Sequence, residues 1–300
     1  MAIKEDYVSY EFAKKLKECG ITLYHGDCLD VLPTLADGSI SACIADLPYG
    51  CLNKGNKHAQ WDKEIDLDAL WAQLLRVCKP NAAIVLFGQG LFSAKLMMSQ
   101  PKLWRYNLVW DKCRATGFLN ANKMPLRYHE DIIVFYRKLP IYNPQMEDLN
   151  GRERNHPQGY GKHREYNRCY GNIKRITPQI YEKKHPRSII KIAREHGSKQ
   201  DAFHPTQKPV ALLEYLIRTY TNEGDTVLDC TMGSGSTLVA CANTGRKGVG
   251  IELMEEYYNI AVKRVKVATA QPKLDLWPRA RSARRTEGRA SIIQSRAVTA

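Results

Sequence analysis

The chain has 300 residues, 44% of them hydrophobic, enough for one large domain with an inserted lobe or for two small ones. Its net charge of +14 is uneven: residues 151–200 carry 13 Lys/Arg against 4 Asp/Glu, residues 271–300 carry 7 against 2, and the remainder balances. The longest purely apolar run, Ala82–Phe87, is far too short for a membrane span, Met1–Phe12 is charged where a signal peptide needs an apolar run, and the nine cysteines form no Cys-x-x-Cys pair; we therefore expect a soluble, cytoplasmic protein with reduced thiols.

In chain order, Ile21–His25 is predicted as a strand ending at Gly26-Asp27, and Leu29, Leu32 and Leu35 at helical spacing form a short crossover. Ser41–Ala45 is a second strand that runs into Asp46-Leu47-Pro48-Tyr49-Gly50. The loop Cys51–Gln60, rich in Gly, Asn and Lys, follows that turn directly and reads equally as a mobile flap that closes on a ligand or as a plain surface loop. Leu67–Val77 is an amphipathic helix, Lys79-Pro80-Asn81 a turn, Ala82–Phe87 a buried strand ending at Gly88, and Leu91–Ser99 a helix. Tyr106–Trp110 and Asp131–Tyr136 are further strands. Periodicity then fades across residues 140–203. It returns with a helix over Pro209–Tyr220, a strand over Thr226–Asp229, a glycine turn, a helix over Thr237–Asn243, a strand over Gly248–Glu252 and a last helix over Met254–Val267. Residues 271–300 are expected to be disordered. Strands alternating with helices predict an α/β fold with a mostly parallel, doubly wound sheet covered on both faces. Ligands of such sheets sit beyond the carboxyl ends of the strands, and Asp27, Asp46, Gly88, Asp229 and Glu252 all fall there.

Two motifs carry chemistry. In Asp229-Cys-Thr-Met-Gly233-Ser-Gly235-Ser236-Thr237 a strand turns on two glycines into a helix start. Glycine lets a ligand approach the backbone, and a helix N-terminus offers free N–H groups to a carboxylate. Glu252, at the end of the next strand, can accept from ribose hydroxyls, so the unit reads as a nucleoside site. In Asp46-Leu47-Pro48-Tyr49 the carboxylate of Asp46 and the carbonyl of Leu47 can both accept hydrogens from an exocyclic base amine. That would free the lone pair which the ring otherwise delocalises. Pro48 stiffens the turn and Tyr49 can stack on the base. Alone, these four residues also read as an ordinary strand-to-loop turn. The basic stretch 151–200 interleaves Lys and Arg with Tyr160, Tyr166, Tyr170 and Tyr181, which suits a polyanion. The histidines at 156, 163, 185, 196 and 204 are irregularly spaced, and no metal is expected.

Asp46-Leu-Pro-Tyr resembles the Asp-Pro-Pro-Tyr motif of amino-methyltransferases. Asp229–Thr237 resembles their cofactor loop, and His204-Pro-Thr-Gln-Lys-Pro209 the segment before that loop in the β-class DNA methyltransferases. Gly250-Ile-Glu252 with Tyr257, Ala261 and Arg264 also matches, and the catalytic motif precedes the cofactor motif as in that class. The resemblance spans roughly residues 21–267. It implies a Rossmann-like, circularly permuted methyltransferase fold that uses S-adenosylmethionine on double-stranded DNA. Asp46, Leu47, Pro48 and Tyr49 would hold a flipped base. Asp229, Gly233 and Gly235 would shape the cofactor pocket, with Ser236, Thr237, Thr206 and Lys208 near the methionine carboxylate, Glu252 on the ribose and Asp27 on the cofactor's adenine. The sequence departs from the family pattern at Leu47, which replaces Pro but keeps the carbonyl, and at Cys230-Thr231, which replace a common Pro-Phe pair.

The implied organisation is a catalytic half (1–139), a target-recognition insert (140–203), a cofactor half (204–267) and a basic tail (268–300). Within the insert, Lys183 and Lys184 are expected on phosphates, and Asn155, Gln158 and Asn167 on base edges. N6 of adenine is the expected target, because N4-cytosine enzymes usually carry Ser at the place of Asp46. A glutamine methyltransferase would put its cofactor loop first, and Asp46 with Glu252 argues against a non-catalytic DNA-binding relative. A homodimer and a partner restriction enzyme are left open by the residues.

Overall fold

The computed structural model describes residues 16–51, 62–149, 183–194 and 207–270. Among them an eight-stranded sheet is built from β1 (Ile21–His25), β2 (Ile40–Ala45), β3 (Cys78–Gly88), β4 (Trp104–Thr116), β5 (Arg127–Phe135), β8 (Ile189–Lys191), β9 (Thr226–Asp229) and β10 (Lys247–Glu252), while β6 (Glu147–Asp148) and β7 (Lys183–Lys184) form a separate ribbon. The sheet order is β1-β10-β9-β2-β3-β5-β4-β8. Every neighbouring pair is parallel except the two that involve β5.

Period-two patterning explains the two-faced core. Ile84 and Leu86 of β3 with Ile133 and Phe135 of β5 face one apolar cluster, whereas Val85, Phe87, Ile132 and Val134 face the other. On the first face lies helix α2 (Leu67–Val77), below the short α1 (Cys28–Val31). Asp66 caps α2 by accepting from the N–H groups of Asp68 (3.0 Å) and Ala69 (3.2 Å), and its buried stripe is Leu70, Trp71, Leu74 and Val77. Helix α3 (Leu91–Ser99) joins that face. Helix α4 (Val210–Tyr220) covers the other face through Leu212, Leu213, Leu216 and Ile217. Two further helices, α5 (Ser236–Thr244) and α6 (Glu255–Ala270), close the side of β10 and β1.

β2 and β9 are neighbours, with Ala42 opposite Val227 and Cys43 opposite Leu228. The chain leaves β2 toward β3 and leaves β9 toward β10, in opposite directions along the sheet. A crevice therefore opens beyond the carboxyl ends of β2 and β9, the switch point at which doubly wound sheets bind ligands.

Three expectations change. Lys79-Pro80-Asn81 is no turn between elements: β3 starts at Cys78, and the three residues bulge out between the Ile40–Cys78 and Ala42–Ala83 pairs. β4 and β5 extend well beyond their predicted apolar centres, as a hairpin leaving the core. Cys113 adopts φ 55° where their register shifts, and its N–H donates to Asp111 Oδ1 at 2.8 Å. Of the expected insert 140–203, residues 140–149 and 183–194 are described, and these lie against the body. Ile189–Lys191 adds a strand beside β4, Trp110 Nε1 donates to the Ile192 carbonyl (2.8 Å), and Asn143 N–H donates to the carbonyl of Thr219 in α4 (2.8 Å). The last helix reaches Ala270, beyond the predicted Val267. No helix among the described residues is long and apolar enough to cross a membrane.

Candidate active site

A cavity of about 780 Å³ opens at the switch point, lined from both halves of the chain. Four of the five strand-end residues singled out above line it: Asp27, Asp46, Asp229 and Glu252. Gly88 does not. A Cβ there would lie 2.9 Å from Ser93 Oγ, so this glycine serves close packing against α3.

Asp46 follows β2 directly. Tyr49 donates its hydroxyl to Asp46 Oδ1 (3.1 Å), and its ring stacks on Phe92 at 4.6 Å. One ring face is thus taken by the protein, and the further aromatic walls of the cavity are Phe87, Trp110 and Tyr257. Leu47 is buried in the core and holds the turn down. The Thr231 hydroxyl donates to the Asp46 carbonyl at 3.1 Å, tying the catalytic turn to the cofactor turn. Thr231 was one of the two departures from the family pattern, and this bond is what the hydroxyl does here.

Lys208 occupies an unexpected place. It lies against Asp46, where its ammonium donates to Oδ2 and also pairs with Glu130 Oε2 at 3.3 Å. The ammonium stands 5.0 Å from the Phe87 ring centre, at cation–π range. Lys112 approaches Glu130 Oε1 at 3.4 Å. Two carboxylates and two ammonium groups thus form one buried, neutral quartet. Burial raises Asp46 above the usual carboxylate range, and Lys208 partly opposes the rise. Burial also acts to raise Glu130, but Lys208 and Lys112 outweigh it and hold Glu130 low. Burial would lower Lys208, but Asp46 and Glu130 outweigh it and keep the ammonium charged.

On the cofactor side, Asp229 accepts from Thr231 N–H (3.1 Å) and the Thr237 hydroxyl (2.5 Å). Burial pushes Asp229 up to about 7 against those two bonds. Glu252 accepts from the N–H groups of Gly233 (2.9 Å) and Met254 (2.8 Å), and burial raises it too. Gly233 has φ +51°, and the space its missing Cβ would fill is empty to 4 Å. Gly235 has φ +78°, and a Cβ there would come 2.8 Å from Ala261 Cβ, so this glycine lets α6 pack against the loop. Ser236 starts α5 and takes a hydrogen bond from Arg264 Nη1 (2.9 Å), which also donates to the Ser234 carbonyl (2.7 Å). Asp27 caps α1 by accepting from Leu29 N–H at 2.9 Å.

The proposed DNA contacts divide. Lys183 is exposed on the β6–β7 ribbon, and Lys184 is half-buried and pairs with Glu147 at 3.6 Å. Thr206, Asn155, Gln158 and Asn167, the loop 52–61 and the tail from 271 lie outside the described residues. Sequence reasoning missed Glu130 and Lys112. The available signal was a charge directly flanking an apolar strand, beside Asp131–Tyr136 and just past Trp110.

The DNA methylase family matches residues 40–263. The chain belongs to this family. The methylase is 28% identical over 248 residues to the type II methyltransferase M.HpaI of Haemophilus parainfluenzae, covering 80% of this chain and 72% of that protein. It is 26% identical over 256 residues to the DNA adenine methyltransferase YhdJ of Escherichia coli K12, covering 83% of each. Its fold is that of the cytosine-N4-specific PvuII DNA methyltransferase (TM-score 0.57, 15% identity, 84% of this chain and 92% of that one). It is also that of M1.HpyAVI, solved as a complex with SAM (TM-score 0.55, 23% identity, 82% and 98%).

Proposed function

We propose that the methylase moves a methyl group from S-adenosylmethionine to N6 of an adenine flipped out of duplex DNA. The observation that carries this reading is the position of Asp46: a carboxylate at the switch point, in a cavity that also holds the Asp229–Thr237 turn. The cofactor side fits its ligand. Gly233 leaves an open cradle, α5 presents its N-terminus, and the acids Asp27, Asp229 and Glu252 line the wall. When bound, S-adenosylmethionine supplies an activated methyl group on a sulfonium.

The chain's own residues do the rest. Asp46 and the Leu47 carbonyl accept the two amine hydrogens and draw the nitrogen toward tetrahedral geometry. Phe87, Trp110 and Tyr49 exclude water around the reacting amine. Placing amine and methyl at near-attack distance is the larger part of the rate gain. Asp46 must first release Lys208, and Glu130, already 3.3 Å from that ammonium, is the acceptor left to hold it. Adenine is favoured over cytosine because Asp46 stands where N4-cytosine enzymes usually carry Ser, and because a relative over most of the chain is named an adenine methyltransferase. The insert over residues 140–203 is the part we assign to choosing the DNA sequence.

Incubation with tritiated cofactor and mixed-sequence DNA, then digestion to nucleosides, names the product. Label in N6-methyladenine is expected, and its loss in Asp46→Ala with retained cofactor binding places the chemistry. Label in N4-methylcytosine would overturn the choice of base, and no label in any nucleoside would overturn the reading.

A further inference from the structure

The β4–β5 hairpin ends in a turn over residues 117–126 that stands at the rim of the cavity: Gly117, Asn120, Met124 and Pro125 line it, as does Arg127 at the start of β5. The turn is braced by its own backbone. Gly117 adopts φ +85°, Asn120 N–H donates to the Gly117 carbonyl (2.9 Å), and Lys123 and Met124 N–H donate to Asn120 (2.9 and 3.0 Å). Yet it presents its apolar side chains to solvent. Phe118 is 76% exposed and Leu119 84%, with Met124, Leu126 and Tyr128 also exposed. Single exposed apolar residues are ordinary, but five within one short hairpin are a surface shaped for a partner. The same stretch, residues 112–129, contains four Lys/Arg and no Asp or Glu. Lys112 is buried against Glu130, but Arg114, Lys123 and Arg127 are exposed, and an apolar tip flanked by these cations matches one partner chemistry, a base stack flanked by phosphates.

We propose that Phe118 and Leu119 form a wedge that enters the duplex at the space vacated by the target base. The inference rests on the DNA-methylating function above. Extruding a base costs stacking and pairing on both sides of the gap, and an apolar side chain that fills the gap offsets part of that cost. The position fits the task, because the wedge and the pocket that receives the base share one rim. Rigidity fits too, since an internally bonded turn can press on a duplex without folding back.

The test compares the full-length Phe118→Ala/Leu119→Ala variant with wild type on two duplexes that hold the methylated site. In one the target base is paired, and in the other it faces an abasic position. Both side chains are exposed, so thermal melting should not change. On the paired duplex kcat/KM should fall about 10- to 100-fold, or about 1.4–2.8 kcal/mol. On the abasic duplex, where extrusion needs little help, it should change less than about threefold. Phe118→Trp should keep activity, and its fluorescence should be quenched on binding paired DNA. An equal loss on both duplexes would make the tip a plain contact surface and overturn the wedge. So would no loss on either, or a variant that merely changes from dimer to monomer in sedimentation. Wild type that labels neither duplex would instead strike at the parent function.

Discussion

Replacing Lys208 with Met removes the cation that Asp46 and Glu130 share, and the consequence can be worked out. An opposite charge at contact distance lowers a carboxylate by about 1–3 pKa units. Asp46 already sits above its ordinary range through burial, and Lys208 opposes that rise, so loss of the ammonium should raise it further. Glu130 keeps Lys112 at 3.4 Å and should respond less. Methyl transfer needs Asp46 ionised to accept from the amine. The acid limb of the single-turnover rate should therefore move toward higher pH, and at a pH below the limb the variant should be slower, by about tenfold for each unit the limb moves. At high pH the sign reverses. Asp46 is then ionised in both proteins, the incoming amine no longer has to displace an ammonium, and the variant should match or exceed wild type with a lower KM for DNA. Lys208→Arg keeps the charge and should leave the limb in place. Single-turnover transfer measured across pH on all three proteins reads these outcomes directly. A Met variant that is uniformly slower, with its acid limb unmoved, would refute the argument and leave Lys208 a packing residue.

Asp229 gives a second pH signature. Its carboxyl stands at about 7 in the folded protein against about 4 in an unfolded chain, so it favours folding when protonated. That stability is present below pH ~4 and is lost as pH rises to about 7, an upper bound of roughly 4 kcal/mol. Asp229→Asn should flatten the slope and melt higher than wild type at alkaline pH, while weakening cofactor binding about 10- to 100-fold. Thermal melts and calorimetry across pH check both signs, and wild type lacking the slope would contradict the burial argument. Gly235→Ala should cost about 2–5 kcal/mol, from left-handed backbone strain plus the 2.8 Å approach to Ala261. Gly233→Ala meets no such neighbour, so it should lose less stability but a comparable share of cofactor affinity. Melts paired with cofactor titration separate the two glycines, and equal destabilisation would reject the distinction.

The sheet was legible because burial on two faces leaves continuous apolar runs such as Ala82–Phe87, and a run of that length bounded by Gly88 has few other readings. The site was legible as a set of strand ends. Asp46, Asp229 and Glu252 each close an apolar segment, and the fold brings such ends together. The outer halves of β4 and β5 were not legible, since a hairpin outside the core carries no alternation to read. Nor was the destination of Lys208. Local pattern places a residue on its own element, whereas its partner Asp46 is 162 positions away and is chosen by tertiary packing. The bulge at Lys79-Pro80-Asn81 was read as a turn because its residues are turn formers. Only pairing with β2 shows that the strand has already begun.

The hydrogen bond from Thr231 to the Asp46 carbonyl spans 185 positions, and this separation bears on how the methylase is born. During synthesis the catalytic turn emerges early, while the strand that must lie beside it, Thr226–Asp229, emerges only after three quarters of the chain. Contacts of such range form late, once the loop between them has been closed. A nascent or truncated chain that ends before Thr226 therefore has Asp46 but neither its neighbouring strand nor the Thr231 brace. Methylating competence therefore has to wait for residues 226–231 to emerge and dock, however early the catalytic turn is made.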